Sequence, residues 1–77
     1  MAITYSKEVF GSNIRFERRK RQWSQKELAS KCGTTQTNIA MIENGYTTPT
    51  MELAVKIANT FNLGIDILFK ELEYQIT

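Results

Sequence analysis

Residues 25–44 read Gln-Lys-Glu-Leu-Ala-Ser-Lys-Cys-Gly-Thr-Thr-Gln-Thr-Asn-Ile-Ala-Met-Ile-Glu-Asn, and their apolar residues recur at helical spacing on either side of one glycine. Leu28 and Ala29 mark the inward face of a first short helix, and Ile39 with Ile42 mark that of a second. Gly33 falls between them, where the chain must reverse within a few residues. Glycine takes the positive φ of such a turn, which costs a residue with a Cβ roughly 1 kcal/mol. The small side chain of Ala29 lets the second helix approach closely. Two short helices joined by a sharp turn make a helix-turn-helix; spacing alone also admits an ordinary αα-hairpin.

Boundaries follow from the flanking residues. Ser24 is an N-cap for helix 2, and Glu27 three residues on completes a capping box. Helix 2 is expected to end near Cys32. Helix 3 is predicted from about Gln36, capped by Thr34 or Thr35, to a stop at Gly45. Toward the N-terminus, Ser6 caps a helix 1 that has Glu8 in its first turn and runs to about Arg21, with Phe10, Ile14 and the stem of Arg18 inward. Residues 1–5 read as a loosely held arm, and Trp23 as a core plug against helix 2.

After Tyr46-Thr47-Thr48-Pro49, Thr50 caps helix 4, whose Leu53, Ala54, Ile57, Ala58 and Phe61 share one face. Asn62-Leu63-Gly64 is a second stop, and helix 5 starts near Ile65 with Leu68, Leu72 and Ile76 in register. The expected architecture is all-α, five helices around one core, with residues 1–77 forming a single domain.

A chain of 77 residues buries about 60 to 65% of its unfolded surface, so its helices must pack well. There is no histidine and one cysteine, which removes an internal disulfide, a zinc site and a Cys/His nucleophile. The carboxylates are interleaved with lysine on helix faces and read as solvated charge. No enzyme, cofactor, metal or small-molecule site is therefore expected, and Cys32 reads as a packing residue. Neither a signal-peptide pattern nor a membrane-length apolar run is present, so the expected location is the cytoplasm, with no membrane partner. Residues 1–50 carry eight Lys/Arg against four Asp/Glu, a balance of +4, and residues 51–77 carry two against four, a balance of −2. The basic half contains the hairpin, a polarity that would orient the domain on a polyanion.

With Ile39 and Ile42 inward, 100° per residue puts Thr37, Met41 and Asn44 on the far side of helix 3, flanked by Gln36, Asn38 and Ala40. This face is small, amide-rich and uncharged. It suits base edges in a major groove better than it suits bulk water, for which lysine and glutamate would be expected.

Ile14-Arg15, Ser24-Gln25-x-x-Leu28-Ala29, Gly33, Ile39, Ile42-Glu43-Asn44-Gly45, Pro49 and Phe61-Asn62-Leu63 together resemble the phage-repressor family, also called Xre or Cro-like. The resemblance covers about residues 10–69, leaving 70–77 as a C-terminal helix extension. It implies a compact five-helix lambda-repressor-like domain with its helix-turn-helix at helices 2 and 3, acting as a sequence-specific transcriptional regulator on double-stranded DNA. In that reading Gln36, Thr37 and Met41 contact bases: Gln36 would pair with adenine N6 and N7, while Thr37 and Met41 would meet a thymine methyl. Gln25, Thr35 and Asn44 match phosphate-holding positions, and Ser24, Asn38 and Tyr46 flank the same surface. Arg18 matches an arginine that pairs with the glutamate at Glu43. Glu17 departs from the leucine that many members carry.

The run Arg18-Arg19-Lys20-Arg21 faces all sides of its helix, so only part of it can meet DNA. Helix 3 carries no lysine or arginine, so affinity would lean on a dimer. Ile65, Ile67, Phe69, Leu72, Tyr74 and Ile76 point in more directions than one core face absorbs. They predict a homodimer joined around helix 5, reading an inverted-repeat operator with half-sites about one turn, roughly 34 Å, apart. The alternative for helix 5 is that it folds back over helices 1 and 4. The alternative function is an antitoxin-like or antirepressor interaction module whose protein partner binds through helix 5.

Overall fold

The computed structural model describes residues 6–69; the expectations for the arm at 1–5 and for Leu72, Tyr74 and Ile76 lie outside the described residues. Five helices follow in order: α1 Lys7–Lys20, α2 Gln25–Cys32, α3 Gln36–Glu43, α4 Met51–Thr60 and α5 Ile65–Leu68. Among the described residues there is no strand.

Hydroxyl caps start four of these helices, each satisfying an amide that has no partner within its helix. Ser6 Oγ accepts from Val9 N–H at 3.3 Å, Thr35 Oγ1 from Asn38 N–H at 3.1 Å, and Thr50 Oγ1 from Leu53 N–H at 3.2 Å. Thr35, rather than Thr34, is thus the cap of α3. At α2 the capping box is complete: Ser24 Oγ accepts from Glu27 N–H and Glu27 Oε1 accepts from Ser24 N–H, both at 3.0 Å.

The four longer helices also end alike. Gln22, Gly33, Gly45 and Asn62 take φ of 60°, 71°, 76° and 59°. The amide after each returns to a carbonyl five residues back: Trp23 to Arg18, Thr34 to Ala29, Tyr46 to Met41 and Leu63 to Ala58. At Gln22 the left-handed conformation falls on a residue with a Cβ, at a cost of roughly 1 kcal/mol.

The helices touch in a closed circuit, α1 on α3, α3 on α2, α2 on α4, α4 on α5 and α5 on α1. Inside it lie Phe10, Ile14, Leu28, Ile39, Ile42, Ile57, Phe61 and Leu68, all essentially inaccessible. The described part of helix 5 therefore lies against α1 and α4. Asn13 Nδ2 donates to the Leu68 carbonyl at 2.7 Å within the buried interior, and Phe69 stacks on Phe10 with ring centroids 4.4 Å apart. Trp23 is half-buried and stacks on Phe61, at the end of α4, with centroids 5.9 Å apart and Lys31 of α2 over its ring. It packs against the core beside α2, as the sequence suggests, and reaches the end of α4 as well.

Where α1 crosses α3 the contact is backbone to backbone. Gly11 is buried, and a Cβ there would run into the Ile42 carbonyl oxygen, with the Glu43 carbonyl oxygen 3.0 Å away. A glycine inside a helix costs roughly 1 kcal/mol against alanine, and here it permits this approach.

Candidate nucleic-acid interface

The second helix of the hairpin stands with one face in the core and one in water. Ile39, Ile42 and Glu43 are buried, whereas Gln36, Thr37, Met41 and Asn44 are exposed and Asn38 and Ala40 are half-exposed. Thr35 and Ser24, both exposed, cap α3 and α2 beside this face, and Tyr46, 71% exposed, follows it in the loop. Ser24, Thr35, Gln36, Thr37, Met41, Asn44 and Tyr46 are thus each open to solvent, and Asn38 partly so. Asn38 Nδ2 donates to Thr34 Oγ1 at 2.9 Å, which draws that side chain back toward the turn.

Beneath this surface a single carboxylate ties three helices together. Arg18 of α1 grips Glu43 of α3 as a fork, Nε to Oε2 at 2.6 Å and Nη2 to Oε1 at 2.9 Å, and its Nη1 donates to the Trp23 carbonyl at 2.9 Å. Gln25 of α2 adds a donation from Nε2 to Glu43 Oε1 at 3.2 Å. Burial alone would push the Glu43 carboxyl up; the hydrogen bonds from Arg18 and Gln25, with the charges of Arg18 and Arg15, outweigh it and hold the group below the usual carboxylate range. The Glu43 hydrogen bond raises Arg18 further above its ordinary value. Gln25, at the head of α2, makes this one side-chain hydrogen bond among the described residues.

Arg15, named above only within a motif, is the residue whose part the sequence did not disclose. Its Nη2 donates to the Glu43 carbonyl at 3.2 Å and to Asn44 Oδ1 at 2.7 Å, at the C-terminal end of α3. A cation there meets the negative end of the helix dipole. Its partners lie 28 and 29 positions away, beyond the reach of helical periodicity.

The rest of the basic run is sorted by its surroundings. Arg21 pairs with Glu17 at 2.7 Å, donates to the Phe61 carbonyl at 2.7 Å and lies 4.8 Å from the Phe61 ring centroid. Glu17, buried where an apolar residue is common in the resemblance, is accommodated by that clamp. Lys20 lies over Phe16, and Arg19 is exposed.

On the helix-5 side, Ile67 is exposed while Ile65 and Phe69 are half-buried. These last two line an open groove of about 390 Å³ with Lys7, Thr48, Met51 and Asp66. Cys32 is buried beside Thr60 Oγ1 at 3.5 Å, and burial raises its thiol pKa. Among the described residues no three His, Cys, Asp or Glu side chains come together as a metal site, and no helix is long and apolar enough to cross a membrane.

A short capped helix, carried on a second helix across a left-handed glycine and showing an uncharged polar face to solvent, defines a helix-turn-helix domain. A family model described as helix-turn-helix matches residues 14–68. An uncharacterised HTH-type transcriptional regulator of Archaeoglobus fulgidus is 41% identical over 58 residues, covering 75% of this chain and 83% of the relative. The chain belongs to the helix-turn-helix family. Among solved structures it is similar to a hypothetical transcription factor, NHTF, from Neisseria, with a TM-score of 0.82, 24% identity and coverage of 91% of this chain and 80% of that one. It is also similar to the restriction-modification controller protein C.AhdI from Aeromonas hydrophila, with a TM-score of 0.77, 22% identity and coverage of 80% and 94%.

Proposed function

We propose that this protein is a DNA-binding transcriptional regulator of the cytoplasm that reads its operator through the outer face of α3. The observation that carries the reading is that this face is exposed yet holds no charged residue, while the buried Glu43 on its other side is anchored to α1 and α2. Family membership supports the same reading. Gln36 pairs with an adenine, Thr37 and Met41 meet a thymine methyl, and each good pair contributes roughly 1 to 3 kcal/mol of discrimination. Gln25, Thr35 and Asn44 hold phosphates, which position the domain without carrying sequence information, and Ser24, Asn38 and Tyr46 flank them.

The same proposal has the protein act as a homodimer on an inverted repeat. Exposed Ile67 and Met51, with the apolar groove beside Ile65 and Phe69, support a second copy meeting the helix-5 side. The acidic balance of residues 51–77 keeps DNA away from that side and toward α3.

Selection of bound sequences from random duplex DNA, followed by light scattering of the complex, tests both parts. The expected site has dyad symmetry with half-sites about one helical turn apart. Failure to enrich any sequence would overturn the DNA-reading assignment and leave the protein-interaction alternative. A mass near 8.9 kDa for the protein, free and on DNA, would overturn the dimer.

A further inference from the structure

Which end of the Asn44 side chain faces outward is decided by Arg15. A guanidinium has donors only, so the Asn44 atom that it holds at 2.7 Å is the oxygen, and the NH2 group lies at the free, exposed end. Both amide hydrogens of Asn44 are then turned toward solvent, beside the outer face of α3.

The charge of Arg15 is also surplus. Both Glu43 oxygens are already gripped by Arg18, at 2.6 and 2.9 Å, and Arg15 Nε stands 3.6 Å from Oε1. Two cations share one carboxylate. The Arg15 side chain is 35% exposed, and its Nη1 makes no hydrogen bond to the described residues. A half-exposed cationic donor pair therefore lies next to an amide whose oxygen it fixes, which is the donor chemistry that a phosphodiester oxygen requires.

We propose that Arg15 and Asn44 form one phosphate-binding unit at the C-terminal end of α3, in which Arg15 orients the Asn44 amide and meets the same backbone phosphate through Nη1. The unit rests on the DNA-reading function proposed above. It gives the uncharged α3 a cation supplied from α1, which sets the depth of the helix in the groove without reading a base.

The test measures affinity of the full chain for its selected duplex across a range of salt concentrations, with Tm as the control for folding. Arg15→Gln should weaken all duplexes about tenfold, leave base preference unchanged and lower the slope of log affinity against log salt by about 1. Asn44→Ala should weaken binding severalfold in the wild type and hardly at all in the Arg15→Gln background. Arg15→Lys should keep the slope but lose that coupling, because an ammonium lacks the planar fork. A purely structural Arg15 would leave the slope unchanged. If Arg15→Gln does not fold, the cost of Asn44→Ala in the wild-type and Arg15→Lys backgrounds carries the same decision. An unchanged slope, or an equal cost of Asn44→Ala in both backgrounds, overturns the Arg15 assignment alone. A wild-type chain that binds no duplex at any salt concentration overturns the DNA-reading function and this unit with it.

Discussion

Threonine caps both α3 and α4, through Thr35 and Thr50, and both helices turn isoleucine toward the same core. Their outer faces diverge. On α4, Glu52 and Lys56 stand one turn apart and pair at 3.4 Å, both exposed. On α3 the outer residues Gln36, Thr37 and Met41 include no charge and form no such pair. Their inner faces diverge too: α4 buries Ala54, Ile57 and Ala58, whereas α3 buries Ile39 and Ile42 together with a carboxylate. An eight-residue helix does not hold its shape alone in water. The geometry of α3 is thus maintained from behind, by α1 and α2.

The largest expected effect breaks the anchor. Arg18→Ala strips the buried Glu43 of its fork and leaves it only Gln25 and the more distant Arg15, and Glu43→Ala leaves the buried Arg18 without its carboxylate; each should cost about 3 to 5 kcal/mol, while the double variant should lose less than the sum. Urea denaturation of the four proteins checks this, and simple additivity would refute coupling. The anchor should also fail in acid. Glu43 is held below its unfolded value, so its contribution is complete above the ordinary glutamate pKa of about 4.3 and is lost as pH falls through the depressed folded value. Replacement of the pair by Arg18→Met with Glu43→Leu should flatten this part of the stability profile.

A smaller effect sharpens the contrast at the outer face. Gln36→Ala should remove roughly 1 to 3 kcal/mol of discrimination at one base position and move stability by less than about 0.5 kcal/mol. Gln25→Ala should instead weaken all duplexes about equally, with some loss of stability because Gln25 also holds Glu43. Base-resolved binding and thermal melts of both variants separate the two behaviours. The smallest effect belongs to α4: Glu52→Ala should cost about 0.3 to 0.5 kcal/mol and leave DNA affinity unchanged.

Local chemistry made most of the scaffold legible. Ser6, Ser24 with Glu27, Thr35 and Thr50 announce helix starts, because a hydroxyl beside an apolar run satisfies amides within three residues of itself. The division of α3 into buried Ile39 and Ile42 and exposed Thr37, Met41 and Asn44 follows from 100° per residue alone. The features that escaped depend on distant parts of the chain. Gln22 carries no mark of its positive φ, since turn residues of that kind are read from glycine or asparagine. Glu17 reads as solvated charge until Arg21 pairs with it, and the Asn13 bond reaches the Leu68 carbonyl, 55 positions away. The Arg15 contacts span α1 to the end of α3, and the close approach at Gly11 is to the Ile42 carbonyl of the same distant helix.

That crossing point bears on how accurately the domain presents itself. The clearance between α1 and the last turn of α3 is set by a missing atom, and carbonyl oxygens cannot rotate aside as a side chain can. Position 11 therefore works as a bearing surface without a shim. Any larger residue there would act as a wedge, prising Glu43 away from Arg18 and tilting the outer face of α3, so a change some distance from the surface would be felt as a change of pitch at the tip.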